Sequence, residues 1–188
     1  GEGSQNGIDG WRLDVAFCVG HPFWKDWRKH VKSLNPEAYL TAEIVDVPEK
    51  VKPYMQGDEF DTEMNYNFCF TAVEYFIYPD NMRISATEFD QKLAELRNLY
   101  PKGVAEVSQT LFGSHDTNRI SSMIKNRGIG SYRDWGTYFS LSKAIDNPDY
   151  SPRKPSKEDY ELLKLLVIFQ MTYPGAPMVY YGDEVGMW

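Results

Sequence analysis

The chain has 188 residues, with 27 acidic against 20 basic side chains, a net charge of −7, and 42% hydrophobic residues. That length supports one sizeable core and is too short for two ordinary domains. No basic run appears, which argues against a nucleic-acid partner, and the longest apolar runs, such as Leu165–Phe169, are far shorter than the ~18 residues of a membrane span.

Five apolar segments have strand length: Ile8–Val15, Tyr39–Ile44, Phe60–Asn65, Gln109–Gly113 and Pro177–Tyr181. Segments of helical period lie between them. Phe23–Leu34 spaces Phe23, Trp27, Val31 and Leu34 along one face, with Pro22 at its start and Pro36 beyond its end. Pro48–Met55 reads as a short helix. Phe68–Ile77 is apolar on several faces and reads as a buried one. Thr87-x-x-Asp90 resembles a capping box opening a helix with Phe89, Leu93, Leu96 and Leu99 on one stripe. Thr117–Lys125 is a weaker helix and Asp159–Tyr173 a strong one, ended by Pro174-Gly175. Residues 126–157 are punctuated by Gly and Pro and carry Trp135, Tyr138 and Phe139. These rings suit either a cleft lining or a staple holding the loop to its own body. Cys18 and Cys69 have no CxxC spacing, so free thiols are expected and a zinc site is not. The chain opens almost directly on a core strand, so its natural N-terminus is expected to be missing and its compartment is not legible.

Alternation of strands and helices means an α/β fold with a parallel sheet. Either an open doubly wound sheet or part of a closed barrel satisfies it. Both put ligand sites at the carboxyl ends of the strands.

Three carboxylates fall at those ends. In Gly10-Trp11-Arg12-Leu13-Asp14-Val15, Arg12 and Asp14 share one face of a strand. Alone, that is a structural ion pair, in which arginine supports a buried carboxylate. Glu43 ends the second strand and Asp116 follows the fourth. Read singly, each of these is a helix cap or a surface charge. Three at corresponding ends suit a hard cation or glycoside hydrolysis. The neighbours favour hydrolysis. Arg12 would keep Asp14 an anion, while the charges of Asp14 and Asp116 would keep a proton on Glu43. His115 suits a donor to a sugar hydroxyl or a core histidine bonded to backbone.

Gly10-Trp11-Arg12-Leu13-Asp14-Val15-Ala16, Ala42-Glu43-Ile44 and Gly113-Ser114-His115-Asp116-Thr117 resemble three signature regions of the alpha-amylase family of retaining glycoside hydrolases, in that family's order and spacing. Met64-Asn65-Tyr66 and the closing stretch from Phe169 to Met187 are similar to its neopullulanase and cyclomaltodextrinase branch. The resemblance implies a partial (β/α)8 TIM barrel, with residues 1–188 supplying its C-terminal five strand-helix units. It implies that Asp14 is the nucleophile, Glu43 the general acid and then base, and Asp116 the residue gripping the sugar hydroxyls. Arg12 would orient Asp14, and His115 would bind the same sugar. The implied substrates are α-1,4-glucans, including maltooligosaccharides, pullulan or cyclodextrins. No cofactor is implied, and a structural Ca²⁺ is left open. Phe17 and Cys18 stand where the family carries polar residues that touch the leaving-group sugar. The family's first signature region, its inserted B domain and its C-terminal β domain are not found. Five strands of eight leave two open edges, from which an oligomer through exposed barrel edges and weak activity in isolation are expected. A transglycosylase of the same family, a non-catalytic carbohydrate-binding piece and a doubly wound metal-dependent hydrolase are the competing functions.

Overall fold

The computed structural model describes residues 7–188. Its strands are β1 (Gly10–Leu13), β2 (Tyr39–Ala42), β3 (Thr62–Asn65), β4 (Gln109–Leu111) and β5 (Ala176–Met178). They form one sheet in the order β1-β2-β3-β4-β5. β1 pairs parallel with β2, placing Leu13 beside Ala42, and β2 pairs parallel with β3, placing Ala42 beside Glu63. Chain order without reversal is what successive units of a barrel produce. A doubly wound sheet would change direction at a switch point.

Each strand is shorter than the apolar run that foretold it. β1 stops at Leu13 because Val15 enters the left-handed region at φ 37°, ψ 50°. Gly10 is fixed by close packing, since a Cβ there would lie 2.3 Å from the Tyr39 carbonyl oxygen.

The helices are α1 (His21–Leu34), α2 (Pro48–Val51), α3 (Tyr66–Ala72), α4 (Ala86–Leu99), α5 (Lys102–Val107), α6 (Ile120–Lys125), α7 (Trp135–Leu141) and α8 (Lys157–Thr172). The expected Pro48–Met55 helix splits into α2 and a 3-10 turn, Lys52–Met55. The expected Phe68–Ile77 helix is α3 followed by a π-helical turn, Val73–Ile77. One cap differs from expectation. Thr87 lies inside α4, and the Ser85 hydroxyl accepts the Glu88 amide at 3.2 Å. Ser85-x-x-Glu88 thus takes the place given to Thr87-x-x-Asp90. α8 begins earlier than expected, where Ser156 and Asp159 form a reciprocal capping box.

Contacts divide the chain into two compact units. The first comprises Gly1–Asn67, Ala94–Gln109 and Pro174–Ala176, and the second Phe68–Leu93, Thr110–Tyr173 and Pro177–Trp188. In the first, Trp24 of α1 packs on Phe60 with ring centroids 5.0 Å apart, over Leu40, Ala42, Val51 and Met55. In the second, Phe169 of α8 stacks on Phe68 and tilts against Phe76 and Phe89. The rings of the 126–157 segment belong to the staple rather than to a cleft. Tyr132 packs on both Trp135 and Tyr138, Phe139 meets the latter two, and Phe70 meets Tyr132 and Trp135.

Candidate active site

The ends of β1 and β2 are tied by backbone. The Glu43 amide donates to the Leu13 carbonyl at 2.9 Å, and the Ala16 amide donates to the Glu43 carbonyl at 3.1 Å. Asp14 and Glu43, each one residue past its strand, are therefore presented at the same end of adjacent parallel strands. The Glu43 carboxylate also accepts the Val15 amide at 3.2 Å. A β-branched residue with positive φ is strained, and such strain persists where surrounding bonds impose it. Here the imposing bonds flank Val15 on both sides, and the Trp24 indole adds one more by donating to the Ala16 carbonyl at 2.9 Å.

Arg12 serves both carboxylates. Its Nη1 lies 2.5 Å from Asp14 Oδ1, and its Nη2 pairs with Glu43 Oε1. The expected one-to-one pairing of Arg12 with Asp14 is thus a shared one. Burial is also reversed from expectation: the Asp14 side chain is 69% exposed, whereas Glu43 is 6% exposed. The left-handed turn at Val15 ends the strand alternation, which would otherwise have carried Asp14 inward. The arrangement presents one accessible carboxylate and one sheltered carboxylate, bridged by a single guanidinium.

Asp116 and His115 belong to the second unit and follow β4. They pair with each other, His115 Nε2 lying 3.2 Å from Asp116 Oδ2, and both are exposed. An exposed His115 does not fit a core histidine. The turn carrying them is bonded internally: the Ser114 amide donates to Thr117 Oγ1 at 2.8 Å, and the Asp116 amide donates to Ser114 Oγ at 3.1 Å. The structure thus brings Arg12, Asp14 and Glu43 together in one unit, and His115 with Asp116 in the other. Phe17 and Cys18 are exposed on the 3-10 turn Ala16–Cys18 that follows Asp14.

Two further residues, Arg119 and Asp183, lie beside the Asp116 turn. They form an ion pair at 3.1 Å. Glycines on both sides of Asp183-Glu184 mark a tight turn in the sequence, and both Gly182 and Gly186 take positive φ. Among the described residues no group of three or more His, Cys, Asp or Glu converges as a metal would require.

The model of the alpha amylase catalytic domain matches residues 4–139. The chain is 36% identical over 180 residues to a cyclomaltodextrinase of Geobacillus thermopakistaniensis (strain MAS1), covering 96% of this chain and 24% of that protein. It is 37% identical over 183 residues to neopullulanase 2 of Thermoactinomyces vulgaris, covering 97% and 25%. Among solved structures it is similar to a cyclomaltodextrinase, with TM-score 0.70 at 34% identity over 97% of this chain and 25% of that one. It is also similar to the native debranching enzyme of Nostoc punctiforme, with TM-score 0.70 at 29% identity over 96% and 33%. The chain thus spans about a quarter of the length of the curated relatives it matches. The parallel sheet in chain order is part of a (β/α)8 barrel. With the family model matching well over half of its residues, the chain belongs to the alpha-amylase catalytic domain family.

Proposed function

We propose that this chain is the C-terminal part of the catalytic barrel of a retaining α-glucan hydrolase. The enzyme cleaves α-1,4-glucosidic bonds in maltooligosaccharides, pullulan or cyclodextrins. The observation that carries this reading is the Arg12 guanidinium lying on both Asp14 and Glu43 at the ends of adjacent parallel strands. In a (β/α)8 barrel the carboxyl ends of all strands share one rim, and Asp116 follows a third strand of the same sheet.

An oxygen of Asp14 attacks the anomeric carbon while the bond to the glycosidic oxygen breaks and Glu43 gives its proton to that oxygen. The contact between Glu43 and Arg12 has to break as the acid turns to the leaving group. Glu43 then takes a proton from water, the water oxygen attacks the same carbon, and Asp14 is released as the carboxylate. Asp116 and His115 hold the sugar hydroxyls as positive charge develops on the ring. Exposed Leu165, Ile168 and Met171 on α8 support the further proposal that this piece works against other barrel units or pairs with another copy.

The test is hydrolysis of maltotriose by the complete enzyme. Glu43→Gln is expected to lower kcat by about 10²–10⁴-fold through loss of acid–base catalysis, and Asp14→Asn by at least as much. If the chain is instead a non-catalytic carbohydrate-binding piece, maltotriose binds and neither variant changes the turnover of the complete enzyme.

A further inference from the structure

The turn that carries His115 and Asp116 is fixed at both ends by one side chain. At its start, a Cβ on Gly113 would lie 2.7 Å from Asp183 Oδ2, so the carboxylate rests against the backbone there. At its far end, Arg119 Nη1 lies 3.1 Å from Asp183 Oδ1. The same guanidinium donates to the Tyr181 carbonyl and lies over the Tyr180 and Tyr181 rings, at 4.5 and 4.7 Å from their centroids. The pair is sheltered, with Arg119 15% and Asp183 11% exposed. Burial pushes the Asp183 carboxyl up from its ordinary range, and Arg119 opposes that rise. Between these anchors the turn bonds to itself, through Ser114 and Thr117. Asp183 and Arg119 are contacts that reach from its two ends to the body of the unit.

We propose that Arg119 and Asp183 are positioning residues, a sheltered clasp that sets where Asp116 and His115 meet the sugar. This rests on the reading of Asp116 as a sugar-gripping residue. The clasp touches no substrate and acts through the turn. A guanidinium suits it because a planar fork stacks on two rings while bonding a carboxylate, which an ammonium cannot do.

The experiment measures kcat and KM of the complete enzyme on maltotriose for three variants. The double variant Arg119→Gln/Asp183→Asn removes both sheltered charges together, so neither is left uncompensated. Its kcat is expected to fall about 10- to 100-fold with KM moving less than about threefold, because a displacement of about 1 Å suffices for such a loss. Arg119→Lys keeps the charge without the stacking, and its kcat is expected to fall about fivefold. Asp116→Asn is the reference. If Asp116→Asn abolishes turnover while both clasp variants keep kcat and KM within about twofold of the parent, the pair is merely structural and the inference is overturned. If Asp116→Asn itself leaves turnover unchanged, the sugar-gripping reading fails and the clasp with it.

Discussion

The Val15 amide donates to the Glu43 carboxylate at 3.2 Å, from one residue beyond Asp14. This contact joins the two acids through backbone as well as through Arg12. The position of Asp14 is thereby tied to the Glu43 side chain.

Arg12 is expected to matter more for Glu43 than for Asp14. Asp14 is largely in water, where an ion pair contributes little, whereas Glu43 is sheltered. Arg12→Met should destabilise the first unit by about 1–3 kcal/mol, the cost of depriving a buried acceptor of its charged partner. The companion Arg12→Met/Glu43→Gln should recover part of that loss. Urea unfolding of the two variants checks this, and equal losses in both would refute it.

The left-handed backbone of Val15 costs stability that a residue without a Cβ would not lose. Val15→Gly relieves strain of about 1–3 kcal/mol and adds about 0.5–1 kcal/mol of unfolded-state entropy, so unfolding should need slightly more urea. Val15→Pro should unfold the turn, since proline cannot adopt this φ and removes the amide that Glu43 accepts. A Val15→Gly variant clearly less stable than the parent would contradict the strain.

Glu63 of β3 is fully buried, with the Tyr100 hydroxyl as its polar neighbour. Burial pushes its carboxyl up to about 8, against a weaker pull from the Tyr100 hydroxyl. Between its unfolded value of about 4.3 and that folded value, the unfolded chain releases a proton that the folded chain keeps. Its contribution to stability is therefore fullest below the lower value, falls as pH rises, and levels off above about 8. Glu63→Gln should match the parent near pH 4 and exceed it at pH 8 by more than about 1 kcal/mol. Denaturant curves at the two pH values check the sign, and a gap independent of pH would refute it.

The two thiols should react in sequence. Cys18 is exposed, while burial pushes the Cys69 thiol up to about 12. A disulfide-exchange reagent should modify Cys18 in the folded protein and Cys69 only after denaturant is added. Modification of both without denaturant would show that the second unit opens around Cys69.

Strand and helix periods were legible because each element buries one face, and the carboxylates were legible because they follow apolar runs. Boundaries were not, because the backbone turns before the apolar residues end. Val15 continues the apolar alternation of β1 yet adopts a turn conformation. Ser85-x-x-Glu88 and Thr87-x-x-Asp90 overlap, and only the direction of the incoming chain chooses between them. α5 and α7 escaped notice because each is short and holds a glycine, Gly103 and Gly136, inside it. Spacing along a strand exposes the local partner of Arg12 but not Glu43, which the parallel register supplies. For the same reason the pairing of Arg119 with Asp183, distant in sequence, could not be read.

In the proposed reaction Asp14 attacks the sugar and carries it covalently. Treatment of the complete enzyme with an activated 5-fluoro-α-glucosyl fluoride, followed by peptide mass spectrometry, tests it most directly. One 5-fluoroglucosyl adduct is expected on the peptide containing Asp14, and none in an Asp14→Asn variant. A stable adduct on Glu43 or Asp116 in place of Asp14 would contradict it.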